Sequence, residues 1–238
     1  MTNTFVWTDL STYHPLESIS FYKAVFDWQT HEEEGYHTTY RGDEEIAGIY
    51  ETPDFFKTIK MPDFWMNYIQ VAEVATTVEK AQQLGAKVEV ANEAFYGGHI
   101  ALIRDPMGAG FTVYDGDQLR QSRQPAHGVV LGRELQVSNA AKVIDFYSGL
   151  LGWQFVEGAY PEQLEGYTSE GTKVAAVQEL DNAVKGKYEY WVTVFGVRDM
   201  ALAHDKIVAN GGQLISDERY RMLFADHYGE AFFYIKAV

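Results

Sequence analysis

The chain has 238 residues, 46% of them hydrophobic, with no cysteine, and 19 Lys and Arg against 34 Asp and Glu give a net charge of −15. The length suits two domains of about 110–120 residues, and the lack of cysteine excludes disulfide frameworks, thiolate metal sites and thiol nucleophiles. No cluster of Lys and Arg is present to neutralise phosphates, so nucleic acid is not an expected partner.

The first predicted element is a strand, Phe5-Val6-Trp7-Thr8-Asp9-Leu10. No basic and apolar leader precedes it, and no run approaches the roughly 18 apolar residues of a membrane span. The expectation is a cytoplasmic protein with no membrane partner. A helix over 18–27 follows, with Ile19, Tyr22, Val25 and Phe26 on one face. Glu32-Glu33-Glu34 reads as a solvated turn. Tyr36–Tyr40, Ile46–Glu51 and Phe111–Asp115 are short, aromatic and β-branched, as strands are. A helix over 74–84 carries Val74, Thr77, Val78, Ala81 and Leu84 on its apolar side and stops at Gly85. Asp105-Pro106-Met107-Gly108 is turn chemistry ahead of a last strand. The polar stretch 118–127 reads as a linker between a first domain, 1–117, and a second, 128–238.

The second half repeats the first. Phe21-Tyr22, with Phe26-Asp27-Trp28 after it, answers Phe146-Tyr147 with Leu151-Gly152-Trp153. Glu45-Ile46-Ala47-Gly48-Ile49-Tyr50-Glu51 matches Lys173-Val174-Ala175-Ala176-Val177-Gln178-Glu179, and Trp65 to Val71 matches Trp191 to Val197. Helices ending at Gly85 and Gly211 follow in each copy.

These blocks, in this order and twice over, resemble the vicinal oxygen chelate superfamily, which includes lactoylglutathione lyase, bleomycin-resistance proteins and extradiol dioxygenases. The carriers are Trp7-Thr8-Asp9-Leu10, the Phe21-Tyr22 to Trp28 block, Leu84-Gly85-Ala86-Lys87-Val88 and Asp105-Pro106-Met107-Gly108-Ala109. The resemblance implies an α+β chain of two tandem glyoxalase-like domains. Each would pair two βαβββ modules in an eight-stranded sheet curled around a cleft. Metal-dependent members hold one ion with His, Gln or Glu from four strands. Here those positions are Trp7, then Gly48 or Tyr50 according to register, Met66 and Thr112. Their counterparts are Gly132, Ala176 or Gln178, Val192 and Phe233. Neither set offers converging nitrogen and oxygen donors, so no metal and no other cofactor is expected. Glu51 and Glu179 lie one residue out of parity and should point away. His14, His31, His37, His99, His127, His204 and His227 show no ligand spacing and read as surface or capping residues; His99 follows two glycines, in a loop that can overhang a cleft.

Strand alternation would turn Trp7, Asp9, Met66, Tyr68, Gln70, Thr112 and Tyr114, joined by Tyr50, toward the first cleft. That is the lining of a small-molecule pocket or, equally, the filling of a closed barrel. Asp9 would either cap the turn at Ser11-Thr12 or meet a ligand or cation. Burial beside Trp7 would raise its pKa, which makes it the candidate general base. In the second half Glu134 and Gln136 face inward, with Val192, Val194, Phe233 and Ile235 making the rest apolar, as a scaffold or a second hydrophobic pocket. The expected function is a glyoxalase or bleomycin-resistance-like protein without the family metal, holding a small aromatic or amphipathic molecule in the first cleft. A metal-dependent glyoxalase-like lyase or dioxygenase with ligands at other positions is the competing reading, and a tandem interaction module the third. Homo-oligomer formation is left open.

Overall fold

The computed structural model describes residues 3–122 and 124–238; Met1, Thr2 and Arg123, the last within the predicted linker, lie outside the described residues. In the first half β1 (Thr4–Thr12), α1 (Pro15–Phe26), β2 (Gln29–Glu33), β3 (Tyr36–Arg41) and β4 (Glu44–Glu51) make one βαβββ module. After a short α2 (Asp54–Thr58), β5 (Phe64–Gln70), α3 (Val74–Gln83), β6 (Lys87–Phe95), β7 (Gly98–Arg104) and β8 (Gly110–Tyr114) make another. The second half repeats this with β9 (Val130–Val137), α4 (Ala140–Leu151), β10 (Gln154–Glu157), β11 (Gln163–Tyr167) and β12 (Lys173–Glu179). Then come α5 (Asn182–Lys185), β13 (Tyr190–Val197), α6 (Met200–Ala209), β14 (Gln213–Glu218), β15 (Arg221–Ala225) and β16 (Phe232–Ala237).

Each half forms one mixed eight-stranded sheet, in the orders β2-β3-β4-β1-β5-β8-β7-β6 and β10-β11-β12-β9-β13-β16-β15-β14. The orders are the same, which makes the chain the α+β tandem that the repeat implies. Parallel pairs such as β1 with β4 and β5 with β8 are joined through helices. The helix bounds have local causes. Pro15 opens α1 three residues ahead of the predicted start, its fixed φ suiting the first turn. Asp27 ends it in the left-handed region at φ 57, where the copy has Gly152 at φ 71. Asn139 and Asp199 cap α4 and α6 through Lys142 N–H and Leu202 N–H.

Packing divides the chain differently from the sheets. One compact unit runs through Trp7 and takes in Asn67–Arg120 and Gly132–Val192; the other is Thr8–Met66, Gln121–Leu131 and Thr193–Val238. In the first unit Ile69, Phe111 and Val113 from the first half share a core with Leu135, Phe146 and Trp153 from the second. In the other unit Leu10, Tyr22 and Trp28 share one with Phe195, Phe233 and Ile235.

A hydrogen-bonded pin crosses the first of these cores. Trp191 Nε1 donates to the Tyr147 hydroxyl at 3.2 Å, and that hydroxyl donates to Asp105 Oδ2 at 3.2 Å. Asp105 Oδ1 meanwhile accepts from the N–H groups of Met107, Gly108 and Ala109, which shapes the turn. In the other unit Trp65 Nε1 donates to Tyr22 at 3.1 Å. There Asp226 Oδ1 accepts from the N–H groups of Tyr228, Glu230 and Ala231. Its Oδ2 has no hydrogen-bond partner among the described residues. The first turn closes from Asp105 to Ala109 and the second from Asp226 to Ala231, so the second is one residue longer.

That extra residue corrects the expected inward face of the last strand. Phe233 and Ile235 belong to the helix-covered core, as Phe111 and Val113 do. The partner of Val194 is Tyr234, just as the partner of Tyr68 is Thr112. Tyr234, not Phe233, is therefore the counterpart of Thr112, because an added residue reverses strand parity. The surface reading of two histidines is also corrected. His227 is only 15% exposed and stacks on Phe21 at 5.0 Å, and neither ring nitrogen finds a hydrogen bond among the described residues. His127 is 11% exposed, with Nε2 at 3.4 Å from Asp27.

Two outcomes are expected of the pin. Tyr147→Phe strands the Trp191 N–H and Asp105 Oδ2 in an apolar core, and should cost about 1–3 kcal/mol in urea denaturation. Burial pushes the Asp105 carboxyl up to about 6 from 3.8, against the hydrogen bonds it accepts. A raised carboxyl takes up a proton on folding between those two values, so its contribution to stability is present at low pH and is lost as pH rises toward 6. The stability of the native chain relative to Asp105→Asn should therefore fall between about pH 4 and 6, by on the order of 3 kcal/mol at most, and level off above.

Candidate functional site

The first-half residues expected to bind a ligand fall in both compact units, and each group has its own geometry. In the unit that holds β4, Asp9 is 1% exposed and lies opposite Gly48 in the β1–β4 register. Leu10 beside it faces the helix-covered core, which turns Asp9 to the other face of the strand. The Tyr36 hydroxyl donates to Asp9 Oδ2 at 3.3 Å, and the Tyr36 ring stacks on Tyr50 at 6.0 Å and 21°. Burial first, and then the Asp9 charge, hold the Tyr50 hydroxyl well above its ordinary pKa, while a bond with Ser11 pulls the other way. The turn after Ser11 is capped by another acid. Asp63 Oδ2 accepts from the Thr12 hydroxyl at 2.6 Å and Oδ1 from Tyr13 N–H at 3.0 Å. Met66, 7% exposed, lies in the same unit, and its carbonyl accepts from Thr8.

In the other unit Tyr68 pairs with Thr112 and Gln70 with Tyr114, on the face turned away from Ile69, Phe111 and Val113. Several of these polar ends are already engaged. The Tyr114 hydroxyl donates to the Tyr96 carbonyl and accepts from Gln118 N–H, and Gln70 Nε2 donates to the Gly116 carbonyl at 2.7 Å. Tyr68 stacks on Phe95 at 5.9 Å and 18°. Trp7 is 2% exposed, and its carbonyl accepts from Arg133.

The second-half counterpart of Asp9 lies in this unit too. Glu134 is 1% exposed, lies opposite Ala176 and accepts from Gln163 Nε2 at 2.8 Å. Burial and then the Glu134 charge push the Tyr190 hydroxyl up to about 12. Gln163 thus adds a polar group beside Glu134, where only Glu134 and Gln136 were expected among apolar residues. Tyr36 and Gln163, which bond to these two acids, are not among the candidates named from the sequence. No local signal marks them, since each is set by pairing across strands, opposite Tyr50 and Gln178.

The donor set does not fit the metal that the resemblance implies. The four first-half positions carry an indole, a glycine or a phenol, a thioether and a hydroxyl, none of them a carboxylate or imidazole. At Gly48 the space is taken, since a Cβ there would lie 1.8 Å from the Tyr36 hydroxyl oxygen and 2.9 Å from Asp9 Cβ. Among the described residues no group of three or more His, Asp or Glu gathers to hold an ion. Glu51 is exposed and paired with Lys57, and Glu179 caps α4 through Ala140 N–H at 2.7 Å. His99 is half exposed beside Asp115, 3.5 Å away. No described helix is long and apolar enough to cross a membrane.

The family described as Glyoxalase/Bleomycin resistance protein/Dioxygenase superfamily matches residues 4–113 and 128–230. A relative from Mycobacterium bovis named "Putative glyoxylase CFP32" is 32% identical over 120 residues, which cover 47% of this chain and 44% of the relative. The chain thus matches less than half the length of that curated relative. Among solved structures, the Mn(II)-bound glyoxalase from Novosphingobium aromaticivorans has a TM-score of 0.68 at 13% identity, covering 99% of this chain and 82% of its own. The 2,3-dioxygenase LapB from Pseudomonas sp. KL28 has a TM-score of 0.65 at 14% identity, covering 100% and 93%. Homoprotocatechuate 2,3-dioxygenase from Brevibacterium fuscum has 0.66 at 12%, covering 98% and 80%. Likeness at these identities shows the fold.

Gly48→Ala should drive the Tyr36 ring off Asp9 and cost about 1–3 kcal/mol by overpacking. The cost should shrink in a Tyr36→Ala background, and a double-mutant cycle in urea measures that coupling.

Proposed function

Because this chain belongs to the Glyoxalase/Bleomycin resistance protein/Dioxygenase superfamily, we propose that it is a metal-free member that binds a small aromatic or amphipathic molecule. The observation that carries this reading is the Tyr36 hydroxyl, which lies over Gly48 and bonds to the buried carboxylate of Asp9. Gly48, one of the two candidates for the second metal-ligand position, presents bare backbone, and the Tyr36 phenol lies against it. A buried carboxylate is costly in an apolar setting, and here it stands beside two stacked phenol rings. That combination gives a planar ligand a face to lie on and a polar group to orient it. Asp9 is also the candidate general base of the set, a role the binding reading does not require.

The ligand is a small molecule rather than a nucleic acid, in keeping with the charge of −15. We place the protein in the cytoplasm, with no membrane partner. The competing reading, a metal-dependent lyase or dioxygenase, needs donors that the strand positions do not carry.

Metal content of the purified chain, with thermal-shift titrations of nickel, zinc, manganese and ferrous iron, separates the two. The expected result is no stoichiometric metal and no shift. A screen of aromatic compounds followed by tryptophan fluorescence should then yield a ligand whose affinity drops about tenfold or more in Asp9→Asn, the scale of a lost charge-assisted hydrogen bond. A bound stoichiometric metal would overturn the proposal.

A further inference from the structure

The turns that lead into the last strands of the two halves differ at one oxygen. In one unit Asp105 Oδ2 takes the Tyr147 hydroxyl at 3.2 Å. In the other, with its longer turn, Asp226 Oδ2 has no hydrogen bond among the described residues, although Asp226 is 0% exposed. The residue after Asp105 is Pro106, which carries no proton; the residue after Asp226 is His227. Its Nδ1 lies 4.0 Å from Asp226 Oδ2. Both nitrogens of this imidazole are buried and bonded to nothing among the described residues. An acid and a base thus sit side by side, shielded from water, with three polar atoms unused. Such atoms are costly to bury, and one added proton relieves the cost by turning the two groups into an ion pair.

The imidazole is held by rings. It stacks on Phe21 of α1 at 5.0 Å and 21°, and it lies against Tyr228 at 4.2 Å. His14, just ahead of α1, stacks on Tyr228 in turn, at 4.6 Å and 26°. The titratable groups around the pair come from three places. His14, Glu17 and Tyr22 belong to α1 and its approach, Asp63 precedes β5, and Tyr228 and Glu230 lie in the turn itself. The segment after α6 touches His227 through Gly211, which brings no charge. Acids outnumber bases in this set, which favours a proton on the pair. Burial opposes a charge on the ring and holds the imidazole below 6.5, while Asp63 and Glu17 pull it up and His14 pulls it down. Burial also raises the Asp226 carboxyl. The proton is therefore taken up on the acid side of 6.5, and it belongs to the pair whichever group carries it.

The turn is tied to the first strand. Asp226 Oδ1 holds the N–H groups of Tyr228, Glu230 and Ala231, so a shift of this carboxyl moves the turn. Glu230 Oε2 accepts from the Asp63 N–H at 2.9 Å. Asp63 in turn holds the Thr12 hydroxyl and the Tyr13 N–H at the end of β1. A charge-assisted N–H···O bond is about 2.7–2.9 Å long, so closing the 4.0 Å gap moves the ring or the turn by about 1 Å. We propose that Asp226 and His227 form a proton-operated switch: uptake of one proton draws them into an ion pair, and the turn carries the movement through Glu230 and Asp63 to the end of β1. The switch is separate from the ligand-binding reading and does not depend on it.

The test is a nuclear magnetic resonance titration of the whole chain from about pH 8 to about pH 4.5, a range that spans the ordinary histidine value. It follows the His227 ring and the backbone amides of Tyr13 and Asp63. His227 should gain its proton below 6.5, and both amides should shift with the same midpoint. Asp226→Asn keeps an oxygen for the three turn N–H groups and removes the charge. It should weaken the proton affinity of His227 about tenfold or more, the effect of losing an opposite charge at this range, and separate the amides from the ring. His227→Gln should abolish the shared step, whereas His14→Gln should leave it. Near-ultraviolet circular dichroism checks that each variant is folded, and His227→Gln stands in should Asp226→Asn not fold. A His227 that titrates alike in the native chain and in Asp226→Asn overturns the pair. Amides that stay still while His227 titrates, or that shift unchanged in His227→Gln, overturn the relay to β1. An imidazole that stays neutral throughout the range overturns the switch altogether.

Discussion

The hydroxyl of Tyr147 takes a hydrogen bond from an indole and gives one to a carboxylate, all three groups inside an apolar core. None of them could be left there alone without a desolvation cost. Joined, they hold three separate pieces of chain in one place: α4, the start of β13 and the turn before β8. Trp153 stacks on the same tyrosine at 5.4 Å and 16°, which fixes the helix exit as well. Once α4 is set in this way, its apolar face covers Phe111 and Val113, and the core of that unit follows. Trp65 and Tyr22 repeat the start of the pin in the other unit. There the turn is one residue longer, and burial raises the pKa of the Asp226 carboxyl.

The helix-covered faces are thus alike in the two copies, and the opposite faces are where the copies diverge. Leu10 and Leu135, or Phe111 and Phe233, play matching parts. Tyr36 and Gln163 do not, and neither do Thr112 and Tyr234. A core tolerates few changes because each one alters packing. A carboxylate on each first strand, Asp9 and Glu134, is a feature that both copies keep.

The order of elements was legible because its signals are local. The Phe-Tyr pair with a tryptophan six residues after the tyrosine, glycine stops at Gly85 and Gly211, and the Asp105 turn each need only neighbouring residues to be read. Parity was legible for Tyr68 and Thr112 for the same reason. What stayed hidden depends on residues far apart in the chain. Alternation shows that Phe111 and Val113 need cover, but not that the cover comes from Phe146 and Tyr147. Tyr36 reads as one more strand aromatic until the β3–β4 register lays its hydroxyl over Gly48. The face of Phe233 was misread because a single added residue in the turn cannot be placed without the hydrogen bonds that close it. His227 reads as a turn residue, and only the ring of Phe21 against it shows that it is half-buried.

Cores that draw on both halves also set an order of events during synthesis. Chains are made from the N-terminus, and a domain folds early only when its own residues suffice. Here the strands bearing Ile69, Phe111 and Val113 leave the ribosome well before Ala140–Leu151 exists to cover them. The first half must therefore wait with an apolar face bare, and α1 waits longer still for Phe233 and Ile235 near the far end of the chain. In a chain built this way neither core can close before strands and helices of the second half have been made.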